Sequence, residues 1–148
     1  MKNVLILFLS LIVLCISCKK DNPPTAESSP LIKTKWILSQ IQNTKTKEVI
    51  NYPSDARKKI TISFSDSMNI LNLSGVWNGG SGQYSYSIAD GTIKVTDFFT
   101  TLIYGKYVEW EDYVRDNLYE ASRYKTYGDI LEIDSKGTYN LFFVKTQY

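Results

Sequence analysis

Short segments in which every second residue is apolar recur along this chain, and that spacing belongs to strands with one buried face. Residues 83–88 show it most cleanly, with Tyr84, Tyr86 and Ile88 alternating with Gln83, Ser85 and Ser87. Residues 59–65 repeat it, with Ile60, Ile62 and Phe64 opposed to Thr61, Ser63 and Ser65. Residues 35–42 place Trp36, Leu38 and, less regularly, Gln40 on one side; 68–73, 92–96, 129–134 and 138–145 read as further strands. Ser65-Asp66-Ser67, Asp90-Gly91 and Ser135-Lys136-Gly137 supply turns between neighbours. Asp90-Gly91 predicts a two-residue type I′ loop, since both central positions of that turn need positive φ.

One stretch follows a different period. Between 109 and 124, Trp110, Tyr113, Val114, Leu118 and Ala121 recur at helical spacing, and Tyr124 continues the stripe. Glu109, Glu111 and Asp112 fall in its first turn, where the helix dipole favours negative charge and acids are normally solvated. Arg123 and Lys125 lie near its end, and Gly128 follows as a stop signal. The expected class is therefore mainly β with one helix, the helix packed on a curved antiparallel sheet or a partly closed barrel.

The domain begins near Leu31. Ahead of it, Lys2 precedes an apolar run over residues 4–16, interrupted only by Ser10 and Cys15. A run of about a dozen residues suits the core of an export signal and falls short of the roughly 20 that cross a bilayer. Its end, Leu14-Cys15-Ile16-Ser17-Cys18, resembles a bacterial lipobox, with Cys15 standing where Leu is usual. That makes Cys18 the expected first mature residue and lipid attachment site. Lys19-Lys20-Asp21 resembles the charged tag that follows this cysteine in lipoproteins of the Bacteroidetes, where it favours the cell surface. Residues 1–17 are thus expected to be a removed signal and 31–148 the domain. Residues 18–30, with Pro23-Pro24 and Ser28-Ser29, are expected to be a lipid-anchored tether. The expected location is the cell envelope, on the outer membrane, at its periplasmic face or at the cell surface.

This organisation removes much chemistry. With Cys15 lost and Cys18 acylated, the domain has no thiol for a nucleophile, a metal or an internal disulfide, and the chain has no histidine. The usual general base, the Ser/His and Cys/His pairs and nearly every zinc site go with them. No cofactor or metal is expected. Lys and Arg number 17 against 15 acidic residues, a formal charge of +2 that is too balanced for a nucleic-acid partner or a polybasic membrane patch, and Arg57-Lys58-Lys59 after Asp55 reads as a solvated loop edge. Glu132 and Asp134 share one strand face, expected to be the outer one, and nothing marks a buried catalytic pair of acids.

Several landmarks also fall in a familiar order. Trp36-Ile37-Leu38 and Ile62-Ser63-Phe64 are followed by Gly75-Val76-Trp77-Asn78-Gly79-Gly80-Ser81-Gly82-Gln83-Tyr84. Residues 97–101 come next, then Glu111-Asp112-Tyr113 with Leu118, Ala121 and Tyr124, and finally the pair Gly128-Asp129-Ile130-Leu131-Glu132-Ile133 and Tyr139-Asn140-Leu141-Phe142-Phe143. Together they resemble the META domain family, which includes the heat-shock protein HslJ. The first two segments are similar to its opening strands, the glycine-rich one to its G-x-C-N loop ending in G-x-Y, and 97–101 to the segment that carries a family threonine. Trp77 stands where many members have a cysteine, and its partner is also missing. The resemblance implies a lipocalin-like, cracked antiparallel β-barrel with one helix. It implies no activity, since the family has no agreed biochemical function. Relatives of the fold include secretion-system pilot lipoproteins that bind acyl chains.

The features that could carry a function are therefore contacts. The loop from Trp77 to Gly82 combines a flat ring with glycines that let a backbone approach, but it lacks the pattern of a phosphate loop. Tyrosines number 11 and crowd the middle of the domain, where they suit a pocket wall, an interface or simply strands. Residues 98–107 form a contact surface if exposed and another strand if packed. The expectation is a non-catalytic, lipid-anchored envelope protein that binds a partner protein or a small apolar ligand at one barrel end. Its candidate contacts are Trp77, Asn78, Tyr84, Tyr86, Tyr104 and Trp110. The alternatives are a carbohydrate-binding module using the same rings and a hydrolase using carboxylates or a Ser/Lys pair.

Overall fold

A computed structural model describes residues 30–146; the expected signal, Cys18 and the tether as far as residue 29 lie outside the described residues. The elements are β1 (Lys35–Asn43), β2 (Val49–Asn51), β3 (Thr61–Ser65), β4 (Ile70–Ser74), β5 (Gly79–Ser87) and β6 (Thr92–Thr100). They continue with helix α1 (Val108–Tyr119), β7 (Ala121–Tyr127), β8 (Ile130–Ser135) and β9 (Tyr139–Thr146). Strands from β3 to β9 pair with their sequence neighbours, and β9 returns to β1 from Lys35↔Thr146 to Asn43↔Tyr139. The result is a closed barrel of eight antiparallel strands with one helix, in the class the alternation predicts. β2 adds a short strand beside the second half of β1. The barrel has one thin seam: β6 and β7 pair only at Thr92↔Arg123, helped by the Tyr124 N–H donating to the Gly91 carbonyl at 2.7 Å.

Four local expectations need correction. The predicted helix stops at Tyr119, because from Ala121 the chain pairs with β8, past a register shift between Ala121 and Arg123, as far as Tyr127↔Ile130. Tyr124 then points inward as a strand residue, between exposed Arg123 and Lys125. In β1 a bulge between Leu38 and Gln40 shifts the register against β9, so Ile41 rather than Gln40 follows Trp36 and Leu38 into the core. The β5–β6 connection spans Ile88 to Gly91, and only Gly91 has positive φ, at 67°, so it is not a type I′ loop. Gly79 to Gly82, read as loop, belong to β5.

The register fixes which loops share an end. β4, β6 and β8 finish, and β5, β7 and β9 begin, at the end crossed by α1. The chain comes in at the other end, where Lys33 N–H donates to Phe64 O and Ile32 bridges to Phe64. Both mouths are filled. Trp110, Val114 and Leu118 of α1 face into the barrel, and Leu31 is wholly buried opposite. Between them lie Trp36, Phe64, Leu71, Leu131, Ile133, Leu141 and Phe143, packed with inward rings of Tyr84 and Tyr124. All of these lie between Leu31 and Phe143.

Two tyrosines make the interior measurable. Tyr84 donates its hydroxyl to Ser65 O and Tyr52 to Lys58 O, each at 3.1 Å. Burial pushes both phenols up to about 12; the Glu111 charge adds to the effect at Tyr52. Below the unfolded value near 10 both states hold the proton, so these groups give no pH dependence there. Above it the unfolded chain loses protons that the folded chain keeps, and stability falls as pH rises from about 10 to about 12. Unfolding titrations across that window should steepen for the wild type and flatten for a Tyr52→Phe, Tyr84→Phe double variant.

Candidate functional site

A single buried carboxylate organises the helix-capped end. Glu111 is 3 % exposed, and it is the only acidic residue in the buried set of the described residues. Its Oε1 accepts from the Trp77 N–H at 2.7 Å, and its Oε2 from the Asn78 N–H at 3.2 Å and Asn78 Nδ2 at 2.5 Å. The β4–β5 loop turns tightly to make these contacts, with Gly75 N–H donating to Asn78 O at 2.7 Å. Only glycine fits at 75: a Cβ there would stand 2.4 Å from Glu111 Oε1.

Asn78 carries the network on to the β6–α1 loop. Its Oδ1 accepts from Ile103 N–H at 2.7 Å and Thr101 Oγ1 at 3.0 Å, while Nδ2 also donates to Ile103 O at 2.9 Å. Thr101 N–H donates to Gly79 O at 3.0 Å. Trp77 lies along the same loop, donating Nε1–H to Lys106 O at 2.8 Å, with its indole against Gly105, where a Cβ would be 2.1 Å from the ring. A third loop joins through Asp55, which accepts from the Tyr107 hydroxyl and from Lys106 Nζ. Those two donors, the hydroxyl first, hold the Asp55 carboxyl below its usual range.

On this polar base stands an apolar tip. Leu102 is 69 % exposed, Ile103 51 %, Tyr104 81 % and Trp77 47 %. Nothing in the ladder covers these side chains, because residues 101–107 belong to no strand. Fixing the backbone of an exposed loop through buried donors and acceptors is a preorganised arrangement for contact.

The predicted contacts divide sharply. Trp77 and Tyr104 are both exposed on the two loops that Asn78 and the Trp77 indole tie together. Tyr84 and Trp110 are core residues, Tyr86 is half-buried and stacks on Tyr84 with ring centroids 5.8 Å apart, and none of these three offers a free face. Glu111 was expected to be solvated; it is instead buried and bonded. Its position was legible, since Glu111 precedes Leu118 by one heptad and so shares the inner helix face. Glu132 and Asp134 lie on the barrel wall around Lys125, whose Nζ is 3.2 Å from Asp134. Among the described residues no cluster of acids, cysteines or histidines could hold a metal ion.

The larger concavities lie on the surface. One of about 550 Å³ sits between the end of α1 and the β8–β9 hairpin, lined by Tyr113, Asp116, Asn117, Glu120 and Tyr139 among others. Another of about 320 Å³ follows the β6–β7 seam past Lys94, Tyr119 and Lys136. Beside Glu111 and Thr101 an enclosed space holds only about 10 Å³, room for one water.

No family model and no curated protein matches this chain. Solved structures do resemble it. A protein from Burkholderia xenovorans, solved by NMR, superposes with a TM-score of 0.66 at 20 % identity, over 80 % of this chain and 85 % of that one. A DUF4847 family protein from Bacteroides vulgatus, solved by crystallography, gives 0.54 at 14 %, over 74 % of this chain and 90 % of that one. At these identities the likeness is one of fold.

Proposed function

We propose that this is a non-catalytic envelope protein, lipid-anchored at Cys18, whose META-like barrel works by docking a macromolecular partner on the tip formed by Trp77, Leu102, Ile103 and Tyr104. The single observation that carries the reading is the pairing of an exposed apolar loop with a buried network that holds it still. Burying such a tip yields about 25 cal/mol per Å², and a loop already ordered loses little entropy on binding. Three landmarks of the META resemblance converge here: the Asn78 loop, the Thr101 segment and the Glu111 helix share one hydrogen-bond network. The packed interior speaks against an acyl chain held inside the barrel and favours contact at its end. A non-catalytic role is supported by the only buried carboxylate among the described residues having its oxygens engaged by loop donors.

In-cell photo-cross-linking tests the reading. A photoreactive residue at Leu102 or Tyr104 should give a defined adduct that the same residue at Ser85, exposed on the barrel wall, does not give. Equal labelling at all three positions, or none at any, would overturn it. The carbohydrate alternative moves from Trp77 to the 550 Å³ groove, whose tilted Tyr113 and Tyr139 rings lie 5.0 Å apart near Asp116 and Glu120. Chemical-shift changes confined to that groove on adding oligosaccharides would favour it.

A further inference from the structure

Resting on that docking reading, we infer that the partner of the tip is an anionic lipid bilayer. The tip is small. With aromatic side chains burying roughly 150–250 Å² each, its four side chains expose roughly 500 Å², below the ~800 Å² per partner of a stable protein interface. A bilayer needs no shape complementarity, and tryptophan and tyrosine beside leucine and isoleucine suit its headgroup boundary.

The neighbouring loop supplies charge. Arg57, Lys58 and Lys59 are all exposed, and none of them forms an ion pair among the described residues. Asp55, two residues earlier, ties this loop to Lys106 and Tyr107, so the cations flank the tip. Asp55 is itself neutralised by Lys106 at 3.2 Å, and Glu109 and the buried Glu111 are the other acids near this loop, against the three cations Arg57, Lys58 and Lys59. The balance around the tip is positive.

The tether permits this pose. The chain comes in at the opposite barrel end, yet the thirteen residues from Cys18 to Pro30 can reach about 40 Å when extended, while the eight residues of β9 span about 27 Å. A domain anchored at Cys18 can therefore lie over and set its tip on the same membrane.

The protein carries its own reporter, because Trp36 and Trp110 are buried and Trp77 is not. The chain from Lys19 onward, which holds every core residue among the described ones, is mixed with vesicles of equimolar phosphatidylglycerol and phosphatidylcholine, or of phosphatidylcholine alone. Tryptophan emission should shift to the blue and the protein should sediment with the anionic vesicles, roughly tenfold more tightly than with neutral ones or in high salt. Leu102→Asp with Tyr104→Asp should abolish binding; Arg57→Glu with Lys58→Glu should abolish the preference for anionic lipid. Both pairs are exposed, and unchanged circular dichroism would show intact folding. Failure to sediment with either vesicle, or binding indifferent to the tip pair, overturns the inference. The in-cell cross-link separates it from the docking reading: a lipid adduct at Leu102 supports both, a protein adduct keeps docking and removes the bilayer, and no adduct removes both.

Discussion

Glu111→Ala should cost about 3–4 kcal/mol, although it removes no apolar contact of any size, because it strands the backbone N–H groups of Trp77 and Asn78 and leaves the Asn78 amide with only the Ile103 carbonyl as acceptor. For a domain of this size that corresponds to a fall of about 10–15 °C in the melting midpoint. Glu111→Gln should fall between, at about 2 kcal/mol, since one oxygen still accepts but the new amide meets a donor. The network also predicts a coupling. Gly75→Ala, costing about 2–3 kcal/mol in the wild type through its clash with Oε1, should cost at least about 1 kcal/mol less once Glu111 is alanine. Some penalty should persist, because the Asn78 carbonyl also lies 2.8 Å from that Cβ. A double-mutant cycle from denaturant unfolding measures it, and additivity would show that the carboxylate does not shape the loop.

The second large effect lies in the barrel wall. Trp36 is among the largest fully buried side chains, and its Nε1 is the one buried side-chain nitrogen or oxygen among the described residues without a hydrogen-bond partner. Trp36→Ala should cost about 3–5 kcal/mol from lost burial and the cavity left behind. Trp36→Phe is expected to cost less than about 1.5 kcal/mol, because the smaller ring loses contact but also removes a desolvated N–H, itself a penalty of about 1–3 kcal/mol. If phenylalanine proves as damaging as alanine, shape rather than polarity governs the site. Equilibrium unfolding of both variants in urea decides between them.

How far the sequence foretold this molecule depends on what each residue touches. Strands such as 59–65 and 92–96 were legible because alternation is local and the core accepts it unchanged. Residues 121–127 were not, because Leu118, Ala121 and Tyr124 satisfy a helical stripe as well as Ala121, Arg123 and Lys125 satisfy a strand; pairing with β8 settles it. The bulge in β1 was visible only as the poor fit of Gln40. At the site, Trp77 and Tyr104 were legible as rings, but their exposure depends on two loops that meet only through folding, so nothing local distinguished them from core Tyr84 and Trp110. Glu111 shows the converse. Its place in the first helical turn points to a solvated acid, and the need for a buried acceptor comes from a loop more than 30 residues earlier.

The seam between β6 and β7 has a kinetic consequence. With one paired position there, opening the wall along this line breaks fewer backbone bonds than opening it elsewhere. Amide hydrogens on the β7-facing side of β6 should exchange with deuterium through local gaping events, well before those of β1 and β9, whose ladder holds eight partners. The same fracture line marks where the C-terminal portion could trade places between two molecules at high concentration, leaving each barrel whole and the pair entwined.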